Sequence, residues 1–297
     1  MVLYHRIHGL PDPDRRAAGA ALDLALDRFL ELASITGVPL TLFVVARELE
    51  RSSFAERLIR AAAAGHELGN HTLDHPYDLV RLPADRQREQ VETPLDWCQR
   101  LLGVRPRGFR APGYIVTDAL LDLVRDTGHA YDSSVFPSPA YYAAKAAARA
   151  ALALSGQHSQ SIPERPDVLR APTRPYRLGR PYWQRGAGLP ELPIQVTRGL
   201  RLPFTGTALV LAGRLGARLL TESVIGEPFI NLELHATDLL DLRDGLESLR
   251  GYQPDLRVSV QRKQRLFETV VRRVAESGYT FTTLGRAVTL AITDERR

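Results

Sequence analysis

The sequence predicts an α/β protein whose parallel sheet is covered by helices. Segments with apolar residues at helical spacing alternate with short apolar runs along most of the 297 residues. This alternation is typical of repeated strand–helix units, in a sheet that is either open or closed into a barrel. The sequence contains no run of about 18 apolar residues, so it indicates no membrane-spanning helix.

The predicted helices carry apolar residues three or four positions apart and end at residues that break helices. Gly65 and Gly103 end two of them, and Thr117 is expected to cap the start of another. The predicted helices are 17–35, 54–64, 84–102, 118–126, 140–154 and 258–277.

The predicted strands are short apolar runs between these helices, and the clearest is Pro-Leu-Thr-Leu-Phe-Val-Val-Ala at 39–46. In a parallel sheet covered by helices, reactive residues are expected where the strands end at their carboxyl ends. The predicted strands are 39–46, 67–70, 108–110, 130–133, 191–196, 228–234 and 279–282.

We expect one domain over residues 1–297, with an insertion at about 137–228. The insertion starts with an Ala-rich helix and continues at 165–204 with a segment dense in proline, arginine and aromatic residues. That segment has too little periodic apolar content for a core of its own. We therefore interpret it as an insertion across a barrel mouth rather than as a separate domain.

The composition is globular, with a net charge of +5 that comes almost entirely from arginine. Such an excess usually reflects solubility, and the functional alternative is attraction to an anionic partner such as phosphate or anionic lipid. The sequence carries no recognisable nucleic-acid-binding motif, so nucleic acid is not an expected partner. Cys98 is the only cysteine, which rules out an intrachain disulfide. The N-terminus lacks a secretory signal, which favours a cytoplasmic protein. Peripheral contact with a membrane is expected only from the basic segment 165–201.

His71 and His75 are the strongest chemical signal in the sequence. They stand four positions apart directly after the predicted strand 67–70, so their imidazoles can bind one divalent metal ion. The alternative is two surface or core histidines on a helix. Asp74 lies between them, where it either accepts a hydrogen bond from an imidazole or is a turn residue.

Two further strand ends carry polar groups. Arg110 follows one strand in the loop Ala111-Pro112-Gly113-Tyr114, where its guanidinium is suited to orient a carboxylate through two hydrogen bonds. The alternative is an incidental arginine in a turn. Asp132 ends the next strand and is a candidate acceptor for setting the tautomer and pKa of a histidine, unless it is only a cap.

His235 ends a late predicted strand, in Asn-Leu-Glu-Leu-His-Ala-Thr-Asp at 231–238. It is placed to act as a general acid that gives a proton to a leaving amine, and Asp238 is a candidate for orienting it. The alternative is a core histidine whose hydrogen bonds are satisfied.

Taken together and in this order, these segments resemble the polysaccharide deacetylase family, the carbohydrate esterases homologous to chitooligosaccharide deacetylase. The metal motif of the family, His-Ser/Thr-x-x-His, matches residues 71–75, and its Arg-x-Pro motif matches residues 110–112. Its late Leu-x-His motif is matched in part at 233–235, where Glu233 stands in place of leucine. The chain looks most like the branch that deformylates or deacetylates lipid-linked amino sugars.

The resemblance implies a distorted (β/α) barrel with about seven strands. It also implies a divalent metal, usually zinc, held by one aspartate and two histidines, here His71 and His75. The catalytic residues implied are His235, as the acid, with Arg110 and Asp132. The substrate-binding residues implied are Pro112, Gly113, Tyr114 and Leu234.

The beginning of the chain departs from the family pattern. The family carries an aspartate pair at the end of its first strand, whereas this chain opens without an acidic pair. We expect a first strand with both aspartates to lie upstream of Met1. The rival explanation is that Asp12 or Asp14 replaces them. Without these acids the two histidines would bind metal weakly.

The sequence therefore predicts a metal-dependent hydrolase that removes an N-acetyl or N-formyl group from an amino sugar of a polysaccharide or lipid-linked glycan of the cell envelope. The alternative is a catalytically impaired, deacetylase-like binding protein, motivated by the missing aspartate pair. The basic segment 165–201 is expected to contact phosphate or an anionic membrane, unless it is an ordinary arginine-rich loop. The aromatic residues expected to pack on sugar or lipid are Tyr176, Tyr182, Trp183 and Phe204.

Overall fold

A computed structural model describes residues 1–154 and 166–294, which form two compact units. The described residues of unit 1 are Met1–Val38, 138–154 and Gln195–Phe281. Those of unit 2 are Pro39–Pro137, 166–194 and 282–294. The single domain over 1–297 with an insertion at 137–228 stays a prediction.

Unit 2 is built on a six-stranded sheet. Its strands are β1 (Thr41–Val44), β2 (Glu67–Asn70), β3 (Gly108–Phe109), β4 (Tyr131–Asp132), β5 (Tyr176–Leu178) and β6 (Arg185–Glu191). Their order is β1-β2-β3-β4-β6-β5, and every neighbouring pair is parallel except β5 with β6. The mixed α/β class with a parallel sheet is confirmed, with six strands in the described residues where about seven were expected.

The helices divide between the two units. Those of unit 1 are α1 (Val2–Ile7), α2 (Arg15–Thr36), α6 (Pro139–Leu154), α7 (Gly206–Val224) and α8 (Val260–Glu276). Those of unit 2 are α3 (Ser52–Ala63), α4 (Ala84–Leu102), α5 (Asp118–Asp126) and α9 (Leu284–Asp294). None of the helices in the described ranges is long and apolar enough to cross a bilayer.

The residues predicted to end or cap a helix do so in α4 and α5. α4 has the predicted bounds, and Gly103 ends it in the left-handed conformation with φ 71°. The side chain of Thr117 accepts a hydrogen bond from the Leu120 N–H and caps α5 as predicted.

Three predicted strands are wrong. Residues 191–196, 228–234 and 279–282 form no strand beyond Glu191 at the end of β6, although isolated bridges join Val196 to Pro203 and Thr205 to Glu233. Short apolar runs do not distinguish strands from buried loops, and Pro193 cannot donate to a sheet. The predicted insertion instead supplies β5, β6 and α7.

Unit 1 positions the segment that follows His235. Its 3-10 turn, Ala236–Leu239, contacts α2, α7 and α8. The core below it is apolar and includes Leu32, Phe204, Leu239 and Phe267, all buried. This packing fixes the turn against three helices, so the position of His235 is defined by the fold of unit 1.

Candidate active site

The predicted site residues fall in both units. His71, His75, Arg110 and Asp132 belong to unit 2, together with the loop 112–114, while Leu234 and His235 belong to unit 1. Five parallel strands of unit 2 present their carboxyl ends on one edge of the sheet, and the polar residues of unit 2 named above lie at or just beyond three of those ends.

The two histidines lie in a loop that follows β2, so the alternative of two histidines on a helix is excluded. Thr72 and His75 both have left-handed backbones, with φ of 68° and 58°. A positive φ at a β-branched residue such as threonine is uncommon and strained. Hydrogen bonds hold this conformation: Asn70 Oδ1 accepts from Thr72 N at 2.9 Å, and Thr72 Oγ1 accepts from His75 N at 3.0 Å. Strain of this kind is concentrated at functional sites.

The loop brings the imidazoles of His71 and His75 together, with ring centroids 4.6 Å apart. His71 Nδ1 lies 2.7 Å from the carbonyl oxygen of Arg110 and must donate its hydrogen there. That bond fixes the tautomer and leaves Nε2 of His71 with a lone pair suited to a metal. Tyr77 packs edge-on against His75, with centroids 4.8 Å apart. The pair is therefore oriented by its surroundings.

The histidine pair fits part of a zinc site. Two imidazoles are ligands that zinc prefers, but a structural or catalytic zinc usually takes at least three protein ligands. Within residues 1–154 and 166–294 no group of three or more histidine, cysteine, aspartate or glutamate side chains is arranged to hold a metal ion. The described residues thus provide two imidazole ligands and no carboxylate or thiolate grouped with them.

Asp74 does not hold an imidazole. Its carboxylate accepts from Arg47 Nε at 2.8 Å and from Gln90 Nε2 at 2.7 Å. The backbone N–H of Asp74 also donates to Gln90 Oε1. Asp74 therefore fastens the histidine loop to α4, which agrees with the alternative of a turn residue.

Asn70 and His129 form a buried support beneath this loop. Asn70 Nδ2 donates to Val91 O at 2.8 Å and lies 3.1 Å from His129 Nε2, which therefore accepts. The other ring nitrogen of His129 contacts Val124 O and Thr127 Oγ1. Burial lowers the pKa of His129 to about 4, so the ring is neutral at physiological pH.

His129 is expected to make unit 2 less stable in acid. The folded-state pKa of about 4 lies below the usual 6.5, so the unfolded chain binds a proton that the folded chain does not. Stability should fall as the pH drops from about 6.5 to about 4, by up to about 3 kcal/mol. Urea unfolding across this range should show a smaller pH slope for His129→Gln than for the wild type. Equal slopes would contradict the buried, neutral histidine.

Arg110 binds backbone and hydroxyl groups rather than a carboxylate. Its Nε donates to Ser133 O and its terminal nitrogen donates to Ser133 Oγ, both at 2.8 Å. The guanidinium also lies 4.4 Å from the ring centroid of Phe43. These contacts hold the β3 and β4 ends together, and they hold the Arg110 carbonyl that accepts from His71. The predicted pair of hydrogen bonds is present, but its acceptor is Ser133.

Asp132 lies in the core beside Glu191, a residue that none of the sequence motifs contains. Both carboxyl groups are fully buried and interact with each other. Asp132 also accepts from Ser134 Oγ at 2.7 Å and from Ser134 N at 3.1 Å. Burial and the neighbouring Asp132 raise the pKa of Glu191 well above its usual value, which favours its protonated form.

The pair supports the Arg110 loop from below. Ser134 Oγ, which donates to Asp132, accepts from the backbone N–H of Ala111 at 2.8 Å. Val135 N donates to Glu191 Oε1 at 3.0 Å. Polar contacts therefore connect Glu191, through Asp132 and Ser134, to the loop that orients His71. The sequence offers one signal for Glu191, an acidic residue inside the apolar run Leu-Pro-Glu-Leu-Pro.

Replacing Glu191 with glutamine is expected to change stability by less than about 1 kcal/mol, because the amide keeps a donor for Asp132 and an acceptor for Val135. Glu191→Leu removes both groups and should cost about 3 kcal/mol, since it leaves the buried Asp132 without that donor. Thermal unfolding of the two variants provides the comparison. A glutamine variant as unstable as the leucine variant would show that Glu191 is ionised.

The loop 112–114 turns sharply at two left-handed residues. Gly113 has φ 63° and Tyr114 has φ 65°. The ring of Tyr114 is buried and packs edge-on against Phe136, with centroids 5.3 Å apart. Pro112 is also buried. Tyr114 thus anchors the loop, and a substrate-binding role for residues 112–114 stays a prediction.

His235 pairs with the residue that departs from the family motif. Its Nε2 lies 3.1 Å from Glu233 Oε1; Glu233 is buried, while the side chain of His235 is 42% exposed. Asp238 holds the main chain instead, because its Oδ2 accepts from the backbone N–H of His235 at 2.7 Å. Burial raises the pKa of Asp238 to about 6. Glu233 therefore orients the ring, and Asp238 orients the backbone.

Lys263 holds the chain beyond His235 from inside the core. This lysine of α8 is fully buried, and its ammonium donates to Thr237 O at 2.7 Å, to Leu240 O at 2.8 Å and to Asp255 Oδ2 at 3.3 Å. Three acceptors use all three N–H groups of a protonated lysine. The signal was present in the sequence, because Lys263 occupies an apolar-face position between Val260 and Phe267.

Other predicted contacts have structural partners instead. Asp12 forms an exposed ion pair with Arg6, and the side chain of Asp14 caps α2 by accepting from Ala17 N at 2.8 Å. The proposed aromatic contact surface is wrong for three of its four members, because the side chains are buried in the core. These buried aromatics are Tyr176, Tyr182 and Phe204.

The strained histidine loop and the polar side chains lie at the carboxyl ends of parallel strands. α/β enzymes carry their reactive residues at this edge of the sheet. Residues 24–131 match the family model described as polysaccharide deacetylase. This segment belongs to the polysaccharide deacetylase family, which confirms the family predicted from the motifs.

Two curated relatives match shorter stretches. The uncharacterized protein YlxY of Bacillus subtilis is 31% identical over 67 residues, which cover 23% of this chain and 21% of that protein. A peptidoglycan deacetylase of Helicobacter pylori is 26% identical over 128 residues, which cover 43% of each chain. The matches therefore span less than half the length of both relatives.

The chain is also similar to solved structures. The peptidoglycan deacetylase PdaC from Bacillus subtilis, solved as a mutant, aligns with TM-score 0.47 and 12% identity, covering 92% of this chain and 88% of that one. A BA3943 mutant, described as a CE4 family pseudoenzyme with restored enzymatic activity, aligns with TM-score 0.49 and 14% identity. The alignment covers 90% of this chain and 63% of that one.

Proposed function

We propose that this chain is a metal-dependent hydrolase that removes an N-acetyl or N-formyl group from an amino sugar of a polysaccharide or lipid-linked glycan. The observation that carries the proposal is the strained loop that places His71 and His75 side by side within the segment matching the family model. The peptidoglycan deacetylase among the relatives supports a cell-envelope sugar as substrate. A cytoplasmic location with peripheral membrane contact stays a prediction.

The residues of unit 2 would bind the metal ion and orient the side chains that hold it. His71 and His75 would hold a divalent metal, zinc being the first candidate, which when bound supplies activation of water for amide hydrolysis. The carbonyl of Arg110 keeps the His71 ring in the tautomer that presents Nε2. Arg110 itself is fixed by Ser133, and the Asp132–Glu191 pair fixes Ala111 through Ser134.

His235 would supply the proton for the departing amine. Its ring is accessible and oriented by the buried Glu233, and Asp238 and Lys263 hold the backbone on either side. His235→Gln is expected to lower kcat about 10²- to 10⁴-fold with little change in KM, because a general acid acts in the transition state. Steady-state kinetics on N-acetylglucosamine oligomers test this. Unchanged kcat would remove His235 from the mechanism.

The activity test is release of free amine from N-acetylated and N-formylated amino-sugar oligomers, with zinc added and with zinc removed by a chelator. Activity that disappears on chelation and returns with zinc supports the proposal. No release from either substrate class by zinc-loaded protein would contradict it.

A catalytically impaired binding protein is the second candidate. The observation that favours it is the absence of a third metal-ligating side chain beside the histidine pair among the described residues. Such a protein would bind N-acetylglucosamine oligomers in calorimetry and release no amine. Binding together with zinc-dependent release would exclude this candidate.

A further inference from the structure

Residues 195–221 of unit 1 combine positive charge with exposed apolar surface. This segment contains four arginines and no aspartate or glutamate. Ten large hydrophobic side chains are exposed among the described residues, and half of them fall within 200–219. These five are Leu200, Leu202, Leu211, Leu215 and Leu219. Half of the exposed large hydrophobic side chains thus lie in one short stretch of sequence, and contiguous exposed apolar surface on a monomer is typical of interaction sites.

Helix α7 carries the densest part of this surface. Gly213 interrupts the helix with φ 65° and ψ −176°, so the helical turns from residue 214 onward form a segment of their own. Leu215 and Leu219 stand one turn apart in that segment and are 71% and 62% exposed. Arg214 and Arg218 are exposed beside them, also one turn apart.

The opposite side of α7 is occupied. Leu209, Val210 and Ala217 are buried in a core that also contains Phe267 and Val270 of α8. The exposed leucines therefore do not face the core of unit 1. Replacing them should leave the packing of α7 on α8 intact.

We propose that the exposed face of α7, defined by Arg214, Leu215, Arg218 and Leu219, docks on a bilayer that contains anionic lipid. Apolar side chains flanked by arginine on one exposed helix face are the arrangement of helices that lie in the membrane interface. The leucines would enter the headgroup–acyl boundary while the arginines contact anionic headgroups. This proposal concerns binding and does not depend on the hydrolase activity.

A second copy of the chain is a less suitable occupant. A two-fold contact through this face would bring the arginines of one copy against the same arginines of the other. The acidic residue nearest in sequence, Glu222, is already bound by Arg273 through two hydrogen bonds of 2.6 and 2.8 Å. An anionic bilayer neutralises the arginines, whereas a second copy adds like charge.

The test is co-sedimentation with vesicles of phosphatidylcholine alone or with about 30% phosphatidylglycerol. The full chain should bind the anionic vesicles, and added salt should weaken that binding. Leu215→Ser with Leu219→Ser should lower the partition coefficient at least about tenfold. Arg214→Gln with Arg218→Gln should lower it about fivefold for each arginine. Leu290→Ser replaces an exposed leucine of unit 2 and is the matched control; this variant should bind the anionic vesicles as the wild type does.

A site-specific probe locates the contact. Cys98 is buried, so a cysteine introduced by Leu215→Cys can be labelled selectively with a polarity-sensitive dye. The dye should shift to shorter wavelength on anionic vesicles, and a dye at Leu290→Cys should not. Equal binding to neutral vesicles, normal binding by the double leucine variant, or an unshifted dye at position 215 would overturn the proposal. So would a dimer that Leu215→Ser dissociates.

Vesicle binding and amide hydrolysis can be tested independently of each other. The double leucine variant should retain wild-type turnover of any soluble sugar substrate, and a protein without turnover should still bind vesicles. Circular dichroism of each variant confirms that loss of binding is not loss of fold.

Discussion

Replacing His71 with glutamine is expected to abolish zinc binding and to lower amide hydrolysis at least about 10³-fold. The variant removes one of the two imidazoles that the loop places 4.6 Å apart. With no third metal-ligating side chain grouped beside the pair in the described residues, a single histidine would hold the metal poorly. Amine release and zinc affinity should therefore fall together.

His66→Gln is the matched control for this variant. His66 lies in the same stretch of sequence, but its Nδ1 accepts from the Leu40 backbone at 3.0 Å, which is a structural contact. This control should keep zinc binding and turnover close to wild type. Full activity of His71→Gln, or equal losses in both variants, would contradict a metal role for the pair.

Replacing Lys263 with methionine is expected to produce the largest loss of stability, about 3–5 kcal/mol. The change leaves Asp255 as an uncompensated buried carboxylate and removes the donor for the carbonyls of Thr237 and Leu240. Because those carbonyls follow His235, kcat should fall as well. Urea unfolding monitored by circular dichroism and steady-state kinetics measure the two effects.

Two comparisons isolate the cause. Lys145→Met changes the only other lysine, which lies on α6, and should have little effect on the urea midpoint. Lys263→Met combined with Asp255→Asn should recover part of the loss, because the second change removes the unpaired charge. A Lys263→Met protein as stable as the wild type would show that the buried ammonium is not needed.

Local signals explain what the sequence predicted correctly. The bounds of α4 and the start of α5 followed from Gly103 and Thr117, whose effects act over one helical turn. The short β2 strand was also predicted with the bounds that the structure gives it. These features depend on neighbours in sequence, so the pattern alone was enough.

Helix α7 was not predicted because it has apolar residues on both faces. Leu209 and Val210 are buried while Leu215 and Leu219 are exposed, and this removes the periodic contrast that identifies a surface helix. Gly213 also interrupts the pattern. The same property that hid the helix from the sequence analysis supports its proposed role at a membrane.

The partners within the candidate site could not be predicted because they are distant in sequence. Asp132 was expected to serve a histidine, yet its carboxyl partner Glu191 lies on another strand, β6. Arg110 was expected to bind a carboxylate, and it binds Ser133. Only strand order and register determine such contacts. Residue types at strand ends predicted where the polar groups lie, but not which groups pair.

X-ray absorption at the zinc edge of zinc-loaded protein would show whether His71 and His75 bind the metal. We expect one bound zinc with two imidazole nitrogens at about 2.0–2.1 Å, a signal lost in the His71→Gln, His75→Gln double variant. A wild-type spectrum without imidazole scattering, or one that the double variant reproduces, would contradict the claim that this histidine pair is a metal site.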